Sequence, residues 1–181
     1  MRSPSTRASF DARKFLAGAL CAIVLMVATL FACLALGLAD VASDVAPAAW
    51  ESAIMTPAIH ASVRRSAASL RSPFPDSEAT LIAGGKLYMN DCVGCHGSPG
   101  EPSQFGLTFF PPAPQLWQTG TRYRDAETFW IAKHGIRLTG MSPQAGDYSE
   151  PDLWRLGMFI NRIGNLPPAV LKAIQPAPPS K

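Results

Sequence analysis

From Phe15 to Ala39 the chain runs through 25 residues with no charge and a single hydroxyl side chain, Thr29. No polar face interrupts the run, the pattern of a helix surrounded by apolar material on every side. At about 1.5 Å per residue it exceeds the roughly 30 Å hydrocarbon core of a bilayer, so a single transmembrane helix in contact with lipid is expected over 15–39. Arg2, Arg7, Arg13 and Lys14 precede it against one acid, Asp11, whereas Asp40, Asp44 and Glu51 follow it and no further Lys or Arg comes before Arg64. This bias puts residues 1–14 in the cytoplasm and everything after Asp40 outside. A cleaved signal peptide ending at the small residues Gly37-Leu38-Ala39 is the competing reading, although its apolar core would be unusually long; both readings export the remainder.

Beyond the anchor the pattern weakens. Residues 40–76 are rich in Ala, Ser and Pro and hold no glycine, which reads as a spacer with one short helix started by Thr56-Pro57 and carrying Ile59, Val63 and Leu70 near one face. His60 reads as an exposed histidine of that spacer, and Arg64, Arg65 and Arg71 as charges that keep it soluble. Helical periodicity returns in 77–168. "SEATLIAGGKLYMNDC" places Leu81, Leu87 and Tyr88 at helical spacing; "DAETFWIAKHG" has Asp125 at its N-cap and Gly135 past its end; "SEPDLWRLGMFINRIG" begins with Ser149 and Asp152 placed as in a capping box and carries the stripe Leu153, Leu156, Ile160 and Ile163. Gly84, Gly85 and Gly157 weaken these helices by about 1 kcal/mol each, a cost explained if all three meet at one close helix crossing. No strand is expected, and residues 169–181 form a proline-rich tail.

Between His96 and Arg124 nothing is periodic, yet Phe105, Phe109, Phe110 and Trp117 supply more aromatic bulk than a solvent loop needs. Three short helices cannot bury it alone, so the loops should wrap something large and apolar that the chain does not supply. The cysteines indicate what. Cys21 and Cys33 lie in the apolar run, leaving Cys92 and Cys95 as the whole exported set. A redox dithiol would sit between strand and helix, and a structural zinc ion needs four ligands. Cys92-Val93-Gly94-Cys95-His96 is instead the mark of covalent haem attachment, with thioethers from both cysteines and His96 on the iron. One motif implies one haem. For the sixth position the candidates are His134, Met141 and Met158; Met141, on the irregular backbone of "RLTGMSPQAG", is the preferred ligand. From 77 onward nine Lys or Arg face eight Asp or Glu, which argues against a nucleic-acid partner.

The segment from about Ala79 to Leu166 resembles the class I cytochrome c domain, in its bacterial single-haem, membrane-bound form. The likeness is carried by "GGKLYMNDCVGCHG", with Tyr88 four residues before the first cysteine, by "FWIAKHGIRLTGM", by the methionine and by "LWRLGMFINRI". It implies an all-α haem domain behind a single N-terminal transmembrane helix, with first and last helices crossing through small residues. It also implies His96 and Met141 as axial ligands and a proline carbonyl, from Pro111 or Pro112, on the proximal histidine. Where the family commonly has proline directly after the methionine, Ser142 intervenes here. Trp130 and Trp154 are expected in or beside the haem core, and Arg137, ahead of Arg122 and Arg124, as a counter-charge to the propionates.

The function implied is one-electron transfer at the periplasmic face of a bacterial cytoplasmic membrane, without transformation of a substrate. Its partners would be a quinol:cytochrome c oxidoreductase, a terminal oxidase or a periplasmic dehydrogenase. A haem subunit of a larger respiratory complex and a peroxidase or gas-binding protein with a labile sixth ligand are the alternatives.

Overall fold

The computed structural model describes residues 11–38, 41–42 and 45–175. Arg2, Arg7, Asp40, Asp44 and the closing "PAPPSK" lie outside the described residues, and with them much of the charge bias and of the tail. The described part is helical, without a strand and with one isolated bridge between Ser98 and Glu101. The chain divides into two units, Met1–Ala42 and Ser43–Lys181.

The first unit holds α1, Ala12–Ala35. Asp11 caps it, its carboxylate accepting from the Arg13 and Lys14 amides at 3.2 and 3.4 Å. The helix stops short of Ala39 because Gly37 takes a left-handed φ of 68°. The Leu38 amide then donates to the Cys33 carbonyl and the Gly37 amide to the Leu34 carbonyl, closing the helix in a Schellman motif. No residue of α1 is buried, and the helix is long and apolar enough to cross a membrane.

The second unit contains α2 (Ala49–Ser66), α3 (Glu78–Asp91), α4 (Val93–His96), α5 (Leu116–Thr119), α6 (Asp125–His134), α7 (Glu150–Ile160) and α8 (Pro168–Ile174). Ser77 and Ser149 cap α3 and α7, accepting from the Thr80 and Asp152 amides. Residue 125 opens α6 rather than capping it. The cap position is Arg124, whose amide donates to Glu127 at 3.0 Å and whose guanidinium pairs with the same carboxylate.

The core lies where α3, α6, α7 and α8 meet, around Leu81, Tyr88, Phe129, Leu153 and Phe159. The three costly glycines do not share one crossing. A Cβ on Gly84 would fall 2.1 Å from the Arg155 carbonyl oxygen, so Gly84 lets α3 touch the α7 backbone. Gly157 faces the other way, toward the Phe129 amide and the Asp125 carbonyl of α6. α7 is thus held between two helices by a glycine on each side.

Two segments depart from expectation. The stretch read as a spacer carries α2, which starts at Ala49 instead of Thr56, takes Pro57 in its interior and packs on α6 with Val63 and Ala67 buried. Its alanine content, read as linker composition, is equally that of a good helix former. The link to α3 is fastened by Arg162, which bonds Asp76 and Asp125 at 2.9 and 2.5 Å, and by Arg155 over the Phe74 ring. The start of the expected tail is α8, with Val170 and Ile174 buried against the core.

Candidate functional site

α3 runs directly into the short α4, so that Cys92 ends one helix and begins the next. The Cys92 carbonyl accepts from the Cys95 and His96 amides at 3.2 and 2.9 Å, and Gly97, at φ 78°, ends the turn. Tyr88 stiffens this turn from behind. Its side chain is fully buried and its hydroxyl donates to the His96 and Gly97 carbonyls at 3.1 and 2.8 Å.

The aperiodic segment after His96 folds back over the same turn. Gly106 approaches so closely that a Cβ there would lie 1.8 Å from the Cys95 carbonyl oxygen. Ser103 donates its hydroxyl to the Gly94 carbonyl and accepts from the Gly106 amide. Buried Gln115 accepts from the Ser103 amide at 2.6 Å and donates to the carbonyls of Cys95 and Ala113 at 3.1 and 2.9 Å. None of these three residues was singled out by the sequence, because small and amide side chains in a loop carry no periodic signal. Gln115→Leu strands two carbonyls and one amide at the turn, and each unsatisfied buried group costs about 1–3 kcal/mol. The variant should lose about 2 kcal/mol or more, read as a lower urea midpoint at unchanged slope.

The loop leaves an apolar cleft. It is lined by Cys92, Cys95 and His96 together with Ile136, Gly140 and Met141; α6 and α7 supply Thr128, Ile131, Ala132, Leu156 and Ile160, and Phe109 and residues 111–114 also line it. The Met141 loop is held from α6. Gln144 donates its amide to the Ala132 carbonyl at 3.0 Å and Ile136 donates to the Met141 carbonyl at 3.0 Å. Gly135 permits this, since a Cβ there would meet the Met141 oxygen at 2.5 Å.

His96 Nδ1 lies 2.9 Å from the Pro114 carbonyl, so the expected proline partner is present three and two residues beyond the positions expected for it. Nδ1 donates in that bond, which leaves Nε2 as the lone-pair nitrogen. Burial lowers the imidazole pKa, with the Pro114 bond opposing it; the neutral ring is the form that ligates metal. Burial, then Asp91 and Cys95, push the Cys92 thiol up to about 12.

Of the three candidates for a distal ligand, only Met141 lines the cleft. His134 is exposed beside Trp130, their rings 4.9 Å apart. Met158 is buried and accepts from the Ser72 hydroxyl. Trp130 and Trp154 do not line the cleft; Trp154 stacks on Phe129 at 4.1 Å, and the α6 and α7 positions that reach the cleft are Thr128 and the aliphatic Ile131, Ala132, Leu156 and Ile160. Arg124 is engaged by Glu127, Arg122 by His60, and Arg137 is exposed outside the lining.

Two thiols, a neutral imidazole and a thioether around an apolar slot suit a haem, which brings its own apolar bulk and iron. Among the described residues no group of three or more His, Cys, Asp or Glu is arranged to hold a metal ion by itself. Residues 79–160 match the family model described as "Cytochrome C oxidase, cbb3-type, subunit III". The domain is a class I c-type cytochrome. No curated protein and no solved structure matches the chain. The match over this domain supports a c-type haem as its cofactor and electron transfer as its activity. The matched residues run from α3 to α7, and α2 and α8 lie outside them.

Proposed function

We propose that this cytochrome is a one-electron carrier that holds a single haem through thioethers from Cys92 and Cys95, with His96 and Met141 as axial ligands. The observation that carries this reading is the convergence of those four side chains on one apolar cleft. Bound there, the cofactor supplies reversible one-electron chemistry. The chain's part is to orient the ligands and exclude water. Pro114 fixes the His96 tautomer, Tyr88 and Gln115 fix the turn, and the α6 tether holds the methionine loop with its soft sulfur on the ferrous-stabilising side.

α1 anchors the carrier in the bacterial cytoplasmic membrane, with Arg13 and Lys14 at its cytoplasmic end and the haem domain in the periplasm. The matching family belongs to an oxidase complex, which favours a terminal oxidase as partner over a quinol:cytochrome c oxidoreductase or a periplasmic dehydrogenase. Phe105, Leu107, Phe110 and Leu138 are exposed near the cleft's loops and suit weak, transient docking.

Covalent attachment has a direct test. Acid-acetone treatment of the denatured chain should leave its haem in the protein. C92A and C95A should each keep one thioether and accumulate less pigment. Haem recovered quantitatively in the solvent contradicts the assignment.

A further inference from the structure

α2 lies outside the matched segment, yet one of its side chains reaches the residues that border the cleft. His60, expected as an exposed spacer residue, is half-buried. Its Nδ1 lies 2.5 Å from the Tyr123 hydroxyl and its Nε2 3.2 Å from Arg122 Nη1, with the two rings 5.2 Å apart. Tyr123 lines the cleft between Thr121 and Thr128.

The arginine decides where the protons are. A guanidinium only donates, so His60 Nε2 accepts. A neutral imidazole then carries its proton on Nδ1 and donates it to the Tyr123 oxygen. The phenol, accepting from His60, keeps its own proton for another partner, and the cleft is the space its side chain borders. We propose that His60 and Arg122 hold Tyr123 as a hydrogen-bond donor toward the cofactor cleft, making His60 a positioning residue through which protons tune the reduction potential. The proposal rests on the reading of the cleft as the haem site.

Protonation brings one proton from solvent to Nε2 and turns the acceptor facing Arg122 into a second donor, so the bond to the guanidinium is lost. The charged groups facing the pair are Arg64 from α2, Arg122 from the segment before α6, and Glu127 from α6, itself paired with Arg124. Burial, then Arg122, then Arg64 hold the His60 pKa below 6.5. His60 is therefore neutral at pH 7 and charges only in the acid range. A positive charge gained beside the cleft favours the reduced iron, so the potential should rise as pH falls, and only below about 6.5.

The test is a redox titration of the full-length, haem-loaded protein in detergent from about pH 5 to about pH 8, for wild type, H60Q, H60L and Y123F. Glutamine can accept from Arg122 and donate to Tyr123 without titrating. H60Q should therefore keep the neutral-pH potential of wild type and lose the acid-range slope. Y123F should lower the neutral-pH potential by removing the donor, and H60L should shift it the same way. A wild-type slope retained in H60Q, a potential in wild type that is flat across the range, or a Y123F protein with wild-type values overturns the proposal while leaving the cytochrome reading intact. A purified chain without covalent haem overturns that reading and the proposal with it.

Discussion

Gly84→Ala is expected to destabilise the domain by up to about 2 kcal/mol net, out of a total of about 5–15 kcal/mol for a typical domain. The added carbon would lie 2.1 and 2.5 Å from the Arg155 carbonyl oxygen and carbon and 2.9 Å from the Phe159 Cβ. Two of those atoms are backbone within α7, so nothing can rotate aside and α3 must move off α7. That separation loosens the packing around Leu81, Tyr88, Leu153 and Phe159, all buried. Overpacking costs about 1–3 kcal/mol or more, against roughly 1 kcal/mol returned by alanine's better helix propensity. Gly85→Ala meets only side-chain atoms, the Ile174 Cγ2 at 2.6 Å and the Phe159 ring edge at 2.8 Å; both side chains are buried and must shift, but no backbone stands in the way, so its cost should be smaller than that of Gly84→Ala. Gly164→Ala meets nothing within 4 Å and serves as the control. Urea unfolding followed by helical circular dichroism checks the order; equal midpoints for the position 84 and position 164 variants would remove the close crossing from the account.

The parts legible in the sequence were those written in local chemistry. The apolar run needed only composition and length. α3, α6 and α7 came from caps and stripes, and the attachment turn from five contiguous residues. Pairings over long separations were not legible. That Gly84 faces Arg155 while Gly157 faces Phe129, that Pro114 rather than Pro111 or Pro112 reaches His96, and that Gln115 binds the Cys95 carbonyl depend on the path of a loop without periodicity. The full length and packing of α2, of which only a short helix from Thr56-Pro57 was expected, were missed for another reason: an alanine-rich stretch around Pro57 has the composition of a linker, and its burial comes from α6, far along the chain. The tryptophans were placed by helix and Arg137 by its nearness to Met141 in the chain, and neither says which side of an element faces the cleft.

Met141→Ala is expected to open the iron without unfolding the loop. The loop's own bonds do not involve the thioether: the Met141 amide donates to Thr139 Oγ1 at 3.1 Å, its carbonyl accepts from Ile136, and Gln144 Nε2 holds Ser142. The inserted Ser142 is thus accommodated by a side-chain bond. Removing the sulfur takes away the soft ligand that favours ferrous iron, so the potential should fall, and carbon monoxide should bind quickly to the reduced protein. His134→Ala should change neither property, since His134 is exposed and outside the cleft lining. Fast carbon monoxide binding in H134A together with slow binding in M141A would reverse the assignment of the distal ligand.

The far-red absorption of the oxidised wild-type protein tests the central claim most directly. Ferric iron between His96 and Met141 is low-spin and gives a weak sulfur-to-iron charge-transfer band there, which is absent from M141A and unchanged in H134A. A wild-type spectrum that lacks the band, with high-spin iron that takes up carbon monoxide rapidly on reduction, would contradict a closed electron-transfer centre and favour a ligand-binding or peroxidase one.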